Sequence, residues 1–335
     1  MTIFRGHARP AMPPRADHPA RISARLTGRL PARMPGRVGA FLGAALAALM
    51  LLPAGVQPVS AQERIERQVR VGGMSRDYIA HIPAGARNSA EPMPVVLALH
   101  PALGTGSGME RTTNLHRARG AENYIIVYPD GFRRTWNVGY CCGRAEARRV
   151  DDVGFMQAIM RDLESVAPVR SRAFVTGFSN GALLAYHLVC NNADMVAAAV
   201  PFGATYQLEQ RGCNPSRPVP VLHLHGAEDS EAPFAGGEPQ GRFDGAGRHT
   251  PVVESWLFFV NRNRCTGTRS VTYVQGSECQ GGTGCEAEAA YCRIPGLGHM
   301  WPGAEGGGIG SRAFGPANPN IPGSDAVLAF FDRHR

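Results

Sequence analysis

The sequence predicts an α/β fold with a mostly parallel central sheet and helices on both of its faces. Three observations carry this. The short runs PVVLALH (94–100), NYIIVYP (123–129) and VPVLHLHG (219–226) are near-continuously apolar, as strands buried on both faces are. The intervening segment DDVGFMQAIMRDLESVA (151–167) places Val153, Met156, Ile159, Met160, Leu163 and Val166 at helical spacing. Strands and helices then alternate to the end of the chain, and such crossovers pair strands in parallel.

Taken in order, RQVRVGGMSRDYIAHIPAG (67–85) reads as a hairpin with Gly72 and Gly73 near its turn. The strands at 94–100 and 123–129 follow. The helix at 151–167 opens on the acidic pair Asp151 and Asp152, which favour a helix N-terminus. AFVTG (173–177) is a strand, a helix begins at Asn180, and MVAAAVPFG (195–203) and VPVLHLHG (219–226) are strands. EAEAAYCRIPG (286–296) is the last strand, and SDAVLAFFDRH (324–334) closes the chain as a helix capped by Ser324 or Asp325. Long loops remain at 101–120, 130–150, 228–250 and 300–323, and loops of that length commonly carry function.

The 335 residues carry a formal charge of +8. Residues 1–37 hold eight arginines and one acid, and residues 38–61 hold no charge, so the body from residue 62 retains only about +1. That near-neutral body gives no reason to invoke nucleic acid. The N-terminus reads as a leader. Arg33 and Arg37 precede an apolar run from Val38 to Leu52, and Val59–Ala61 offers small residues for cleavage near Ala61. The run is short for a membrane span, so an uncleaved anchor is the weaker reading and no stable span is expected after cleavage. Met34 is a candidate true start. The expected organisation is a leader over 1–61 and one catalytic domain over 62–335, in a secreted or periplasmic protein.

Eight cysteines follow the leader: Cys141, Cys142, Cys190, Cys213, Cys265, Cys279, Cys285 and Cys292. None forms a Cys-x-x-Cys pair, so disulfides in an oxidising compartment explain them better than a zinc motif. Cys141 and Cys142 are adjacent, and each is expected to find a distant partner. The chain contains no lysine, which excludes Schiff-base chemistry and a phosphate-loop lysine.

The stretch VTGFSNGALLAYH (175–187) sets Ser179 between Gly177 and Gly181 where a strand turns into a helix. That corner strains the serine and leaves room only for glycine two residues before and after. It is a nucleophile elbow in the context the motif requires. A serine needs a base. His299 lies in GLGHMWPG, a glycine-flanked loop after the last strand, and Asp229 follows the strand ending at Gly226. The order Ser179, Asp229, His299 is that of the α/β-hydrolase fold. Glu228 is an alternative acid. Asp130, Asp151 and Asp152 are turn and cap residues. His100, His223 and His225 lie at or near strand ends as structural candidates. The pair His223 and His225 shares one strand face but lacks a third metal ligand at suitable spacing, so no metal is expected. The backbone N–H of Asn180 is one oxyanion donor, and the loop HPALGTG after the first buried strand should supply the second.

These blocks, together with VYPDG (127–131), TWNVGYCCG (135–143), DDVGFM (151–156), APFAGG (232–237) and HLHGAED (223–229), resemble the secreted polyhydroxybutyrate depolymerase and feruloyl or acetylxylan esterase family of α/β-hydrolases. The resemblance runs from about Val95 to the C-terminus. It implies Ser179 as nucleophile, Asp229 as acid and His299 as base, with no cofactor. It also implies that Trp301 and Trp136 lie near the acyl site, although core packing explains Trp136 equally well. The family usually has glycine after the histidine matching His100. This chain has Pro101, which lacks an N–H, so the second donor passes to Ala102 or its neighbour. The family pattern implies that Cys265 pairs with Cys285, leaving Cys279 and Cys292 as a further pair.

The expected activity is hydrolysis of a small or oligomeric carboxylic ester, polyester or plant-polysaccharide ester, through an acyl-enzyme. The rival class is a non-catalytic secreted carbohydrate- or lipid-binding protein on the same fold.

Overall fold

The computed structural model describes residues 62–207, 212–241, 248–305 and 314–335. The leader assigned to 1–61 and its cleavage site at Ala61 lie outside these residues.

The expected hairpin is present. Strands β1 (Glu63–Val71) and β2 (Met74–Ile82) pair antiparallel, and Gly72 and Gly73 turn with φ of 57° and 80°, values that favour glycine. The buried strands are β3 (Val95–Leu99), β4 (Ile125–Pro129), β5 (Ala173–Phe178), β6 (Val196–Phe202) and β7 (Val221–Gly226). Strands β8 (Gly267–Val271) and β9 (Glu278–Thr283) precede β10 (Ala289–Ile294). All ten form one sheet in the order β1-β2-β4-β3-β5-β6-β7-β10-β9-β8. The six strands from β4 to β10 are parallel, and antiparallel pairs flank them at both edges.

Along β3 the side chains divide between two apolar layers. Val95, Leu97 and Leu99 join one with Val175 and Phe155, whereas Val96 and Ala98 join the other with Ile126, Phe174 and Phe331. Both faces are therefore covered, which is why the strand reads apolar without alternation. The first layer is built on α3 (Asp152–Leu163) and α4 (Asn180–Asn191), the second on α1 (Gly106–Thr113) and α6 (Gly323–Asp332). The Asp151 carboxylate caps α3 by accepting from the Gly154 N–H. The cap expected at Ser324 or Asp325 is not formed, because α6 begins earlier, after Pro322. The Ser324 hydroxyl instead donates to the Thr113 carbonyl and accepts from the Trp301 indole.

Five elements lie outside the expected set, the first being α1, which forms within the stretch read as a loop over 101–120 and is capped by the Thr105 hydroxyl accepting from the Gly108 N–H. A fifth helix between β7 and β8, Val252–Arg262, shows helical spacing in Val252, Trp256, Phe259 and Val260, which are buried. A short helix, Gly143–Ala147, occupies the loop after β4. Strands β8 and β9 are half-exposed and polar, and β9 holds Gly281 and Gly282, so neither carries an apolar signal. At Gly282 a Cβ would lie 2.5 Å from the Cys265 sulfur, so only glycine leaves room for the disulfide there.

Cys265 pairs with Cys285 and Cys279 with Cys292, as the resemblance implied. The second pair joins residues directly opposite in the β9–β10 register. The expectation of distant partners for Cys141 and Cys142 is overturned. They are bonded to each other, because Cys190 at the end of α4 is claimed by Cys213, with the two Cα atoms 4.7 Å apart.

Candidate active site

Ser179 stands between β5 and α4 with φ 54° and ψ −117°, a conformation that a residue with a side chain adopts only under external constraint. The constraint is visible on both sides. The Ser179 N–H donates to the Phe202 carbonyl at 2.9 Å, and its carbonyl accepts from Leu183 at 3.1 Å in the first turn of α4. A Cβ on Gly177 would lie 2.3 Å from the Gly181 carbonyl oxygen, and one on Gly181 would lie 2.2 Å from that of Leu99. Both glycines are thus required by backbone that cannot move aside. Gly181→Ala is expected to cost about 1–3 kcal/mol of stability by overpacking and to displace Ser179. Paired denaturation and ester-hydrolysis measurements on this variant check both effects, and a variant with wild-type stability and turnover contradicts the geometry.

Asp229 is three residues past the end of β7. Its Oδ1 accepts from the backbone N–H groups of Glu231 and Ala232, at 2.9 and 2.8 Å, and its Oδ2 lies 2.8 Å from Nδ1 of His299. Burial pushes the carboxyl up, but the His299 ring, with His225 and the Ala232 N–H, outweighs it and holds the group below the usual carboxylate range. An ionised carboxylate can only accept, so the His299 proton sits on Nδ1 and its Nε2 is free to act as base. The alternative acid is excluded by its own contact. Glu228 accepts from the Leu297 N–H at 2.8 Å and so anchors the start of the histidine loop. That loop is held further by His299 N–H to Phe314 at 2.6 Å and Gly298 N–H to Pro316 at 2.7 Å.

Ser179, Asn180, Ala102 and His299 line one cavity of about 260 Å³. The His299 ring packs 4.8 Å from Phe178, the residue immediately before the serine. Among the described residues no hydrogen bond joins the Ser179 hydroxyl to that ring, and such contacts commonly tighten only when substrate binds. The Asn180 side chain is committed to the Trp136 backbone, accepting at 2.8 Å and donating at 3.2 Å, so its contribution to the cavity is the N–H at the start of α4. On the other loop the N–H of Leu103 donates to Arg134 and that of Gly104 to Pro101. Ala102 is the residue of that loop on the cavity wall. His100 shapes the loop: its Nδ1 donates to the Pro101 carbonyl and its Nε2 accepts from Gly131, both at 2.8 Å.

Trp136 and Trp301 do not line the cavity. Each is buried, and each satisfies its indole N–H internally, Trp136 on the His100 carbonyl at 2.8 Å and Trp301 on the Ser324 hydroxyl at 3.1 Å. Their role is support: Trp136 joins the loop after β3 to the start of α4, and Trp301 packs edge-on against Phe202. The cavity wall is made instead by residues to which sequence reasoning gave no place at the site, among them Tyr140, Leu183, Gln207, Arg248 and the Cys141–Cys142 pair. Tyr140 and the two cysteines lie in the block TWNVGYCCG and Leu183 one turn after the serine, whereas Gln207 and Arg248 had no such signal. Elsewhere, His81, Glu110 and His116 gather on the hairpin side of the sheet, where Arg64 and His81 occupy the Glu110 carboxylate.

This sheet, with a serine at its central strand-to-helix corner and a histidine–aspartate pair supplied by later loops, defines the chain as an α/β-hydrolase. Residues 81–238 match the dienelactone hydrolase family, a span that holds Ser179 and Asp229 and ends before His299. Within the class, the chain is similar to feruloyl esterase B of Piromyces equi, 30% identical over 243 residues that cover 70% of this chain and 43% of that one. It spans about half the length of the curated relatives it matches first. Among solved structures it is similar to the acetyl xylan esterase of Aspergillus awamori, with 15% identity, a TM-score of 0.46 and coverage of 70% and 94% of the two chains. It is also similar to a ferulic acid esterase of Anaeromyces mucronatus, with 18% identity, a TM-score of 0.45 and coverage of 72% and 85%.

Proposed function

We propose that this protein is a secreted serine esterase that cleaves carboxylic esters through an acyl-enzyme. The observation that carries this is the Asp229–His299 hydrogen bond of 2.8 Å with the other Asp229 oxygen already holding two backbone donors, beside a strained Ser179 on the same cavity. Nε2 of His299 takes the Ser179 proton as the hydroxyl oxygen attacks the ester carbonyl. The N–H groups of Asn180 and Ala102 receive the developing oxyanion. The imidazolium returns the proton to the departing alcohol, and water, activated by the same nitrogen, hydrolyses the acyl-enzyme and frees the acid. No cofactor takes part in these steps. The four disulfides support passage through an oxidising compartment.

The cavity wall, with Leu183, Ala204 and Tyr140, suits an acyl group with an apolar body. The names of the relatives favour feruloyl or acetyl esters of plant polysaccharide over hydroxybutyrate oligomers. Turnover of methyl ferulate, acetylated xylan and hydroxybutyrate oligomers decides among them, with the first two expected to lead. Ser179→Ala is expected to abolish turnover of all three in a protein that stays folded. Unchanged hydrolysis in that variant would end the assignment, and wild-type protein inert toward every ester would favour a binding protein.

A further inference from the structure

Behind Asp229 a chain of three buried side chains runs from the nucleophile helix to the acid loop. Tyr186, on α4, places its hydroxyl 2.7 Å from Nδ1 of His223. Nε2 of His223 is 2.8 Å from Nδ1 of His225, and Nε2 of His225 is 2.6 Å from the Ala232 carbonyl. Both histidines lie on β7, and all three side chains are buried.

The proton positions follow from the far end. A carbonyl only accepts, so His225 carries a proton on Nε2. Burial disfavours a second proton on either ring, and in His223 the neighbouring His225 adds to this, so both are neutral near pH 7. Nδ1 of His225 is then a lone pair, and His223 must donate to it from Nε2. That leaves Nδ1 of His223 to accept from the Tyr186 hydroxyl. One carbonyl orders every proton in the chain, and every donor points toward the acid loop.

The residue at the end of this chain is the one that clamps the acid. Ala232 receives the His225 proton on its carbonyl and gives its own N–H to Oδ1 of Asp229 at 2.8 Å. Nε2 of His225 also lies 3.7 Å from Oδ2 of Asp229, the oxygen that faces His299.

We propose that His225 is a positioning residue for Asp229: its Nε2–H holds the turn from Asp229 to Ala232 in place, and the relay through His223 to Tyr186 couples that turn to the helix that begins at Ser179. The proposal rests on the reading of Ser179, Asp229 and His299 as a hydrolytic triad. It gives the two histidines a task as donors in series.

The two amides that replace parts of an imidazole separate the two ends of the ring. In His225→Gln the amide nitrogen takes the place of Nε2 and keeps the Ala232 bond. In His225→Asn the side chain stops at the position of Nδ1 and keeps only the His223 bond. With a chromogenic acetate ester, His225→Gln is expected to hold kcat within about five-fold of wild type and His225→Asn to lower it by about twenty-fold or more, KM staying within about two-fold in both, because Asp229 acts only in the proton transfers. In an Asp229→Asn background the His225→Asn change should cost less than about two-fold, since its route to the chemistry is already gone, whereas a general structural defect would repeat its full factor.

Equal kcat for the Asn and Gln variants, a loss in KM alone, or full additivity with Asp229→Asn overturns the proposal. Should His225→Asn not fold, the comparison passes to Tyr186→Phe, which frees the His223 ring. A kcat lowered by about three-fold or more at unchanged KM supports the coupling, and wild-type kinetics overturn it. None of these results touches the triad itself, which stands or falls on Ser179→Ala.

Discussion

Asp229→Asn is expected to lower kcat by about 10⁴-fold while leaving the fold intact. The geometry forces this through the tautomer of His299. Oδ1 of Asp229 faces two backbone donors, Glu231 and Ala232, and Oδ2 faces the ring. An asparagine keeps those donors satisfied only by turning its carbonyl oxygen toward them, which aims its amide N–H groups at His299. Nδ1 of the ring must then accept, and the proton moves to Nε2, the atom that receives the Ser179 proton in the proposed mechanism. The base is occupied although every contact is filled, so KM should change little and stability less than about 1 kcal/mol. Steady-state kinetics on a soluble acetate or feruloyl ester, paired with a urea melt, test this. A variant retaining a tenth of wild-type kcat would show that Asp229 does not set the ring's protonation.

Acidification from pH 7 to pH 5 should remove a large part of the folding free energy, well above the range in which the carboxylates titrate. The cause is the number of imidazoles the fold buries uncharged. Burial pushes His100 and His116 down to about 4 and lowers His81, His223 and His225 from their ordinary value of 6.5. The unfolded chain takes up protons on these rings below about 6.5, whereas in the folded chain His100 and His116 resist until about 4 and the other three are held below their ordinary value. The unfolded state therefore binds more protons across that window, and stability is lost as pH falls through it. His100 alone, fully buried between the Pro101 carbonyl and the Gly131 N–H, accounts for about 2 kcal/mol between pH 7 and pH 5. The other rings act in the same direction. Denaturant titrations at the two pH values measure the difference directly. Equal stability at pH 7 and pH 5 would mean that these rings already carry their second protons in the folded protein.

Much of this protein was legible in the chain because local backbone is governed by local residues. The hairpin turn at Gly72 and Gly73, the buried strands at β3, β4 and β5, and the glycines on either side of Ser179 are each encoded within a few positions, by φ preference, by apolar runs and by the room a side chain leaves. The order Ser179, Asp229, His299 was legible because each residue follows a strand at the same edge of the sheet. The polar edge strands β8 and β9 were not, since their stability comes from pairing and from the disulfides they carry, neither of which leaves an apolar period.

Contacts between distant segments belong to the tertiary structure alone. Strand β10 lies beside β7 although more than sixty residues separate Gly226 from Ala289, and this pairing brings His299 to Asp229. The same arrangement turned Trp136 and Trp301 inward, since each indole N–H found a buried acceptor away from the cavity. It left Cys141 and Cys142 to pair with each other once Cys190 met Cys213, and it aligned Tyr186, His223 and His225 into one run of donors ending at Ala232. The physical reason is common to all of these. A hydrogen bond or a disulfide needs two groups within a few ångströms, and no period along the chain records which groups the sheet will bring that close.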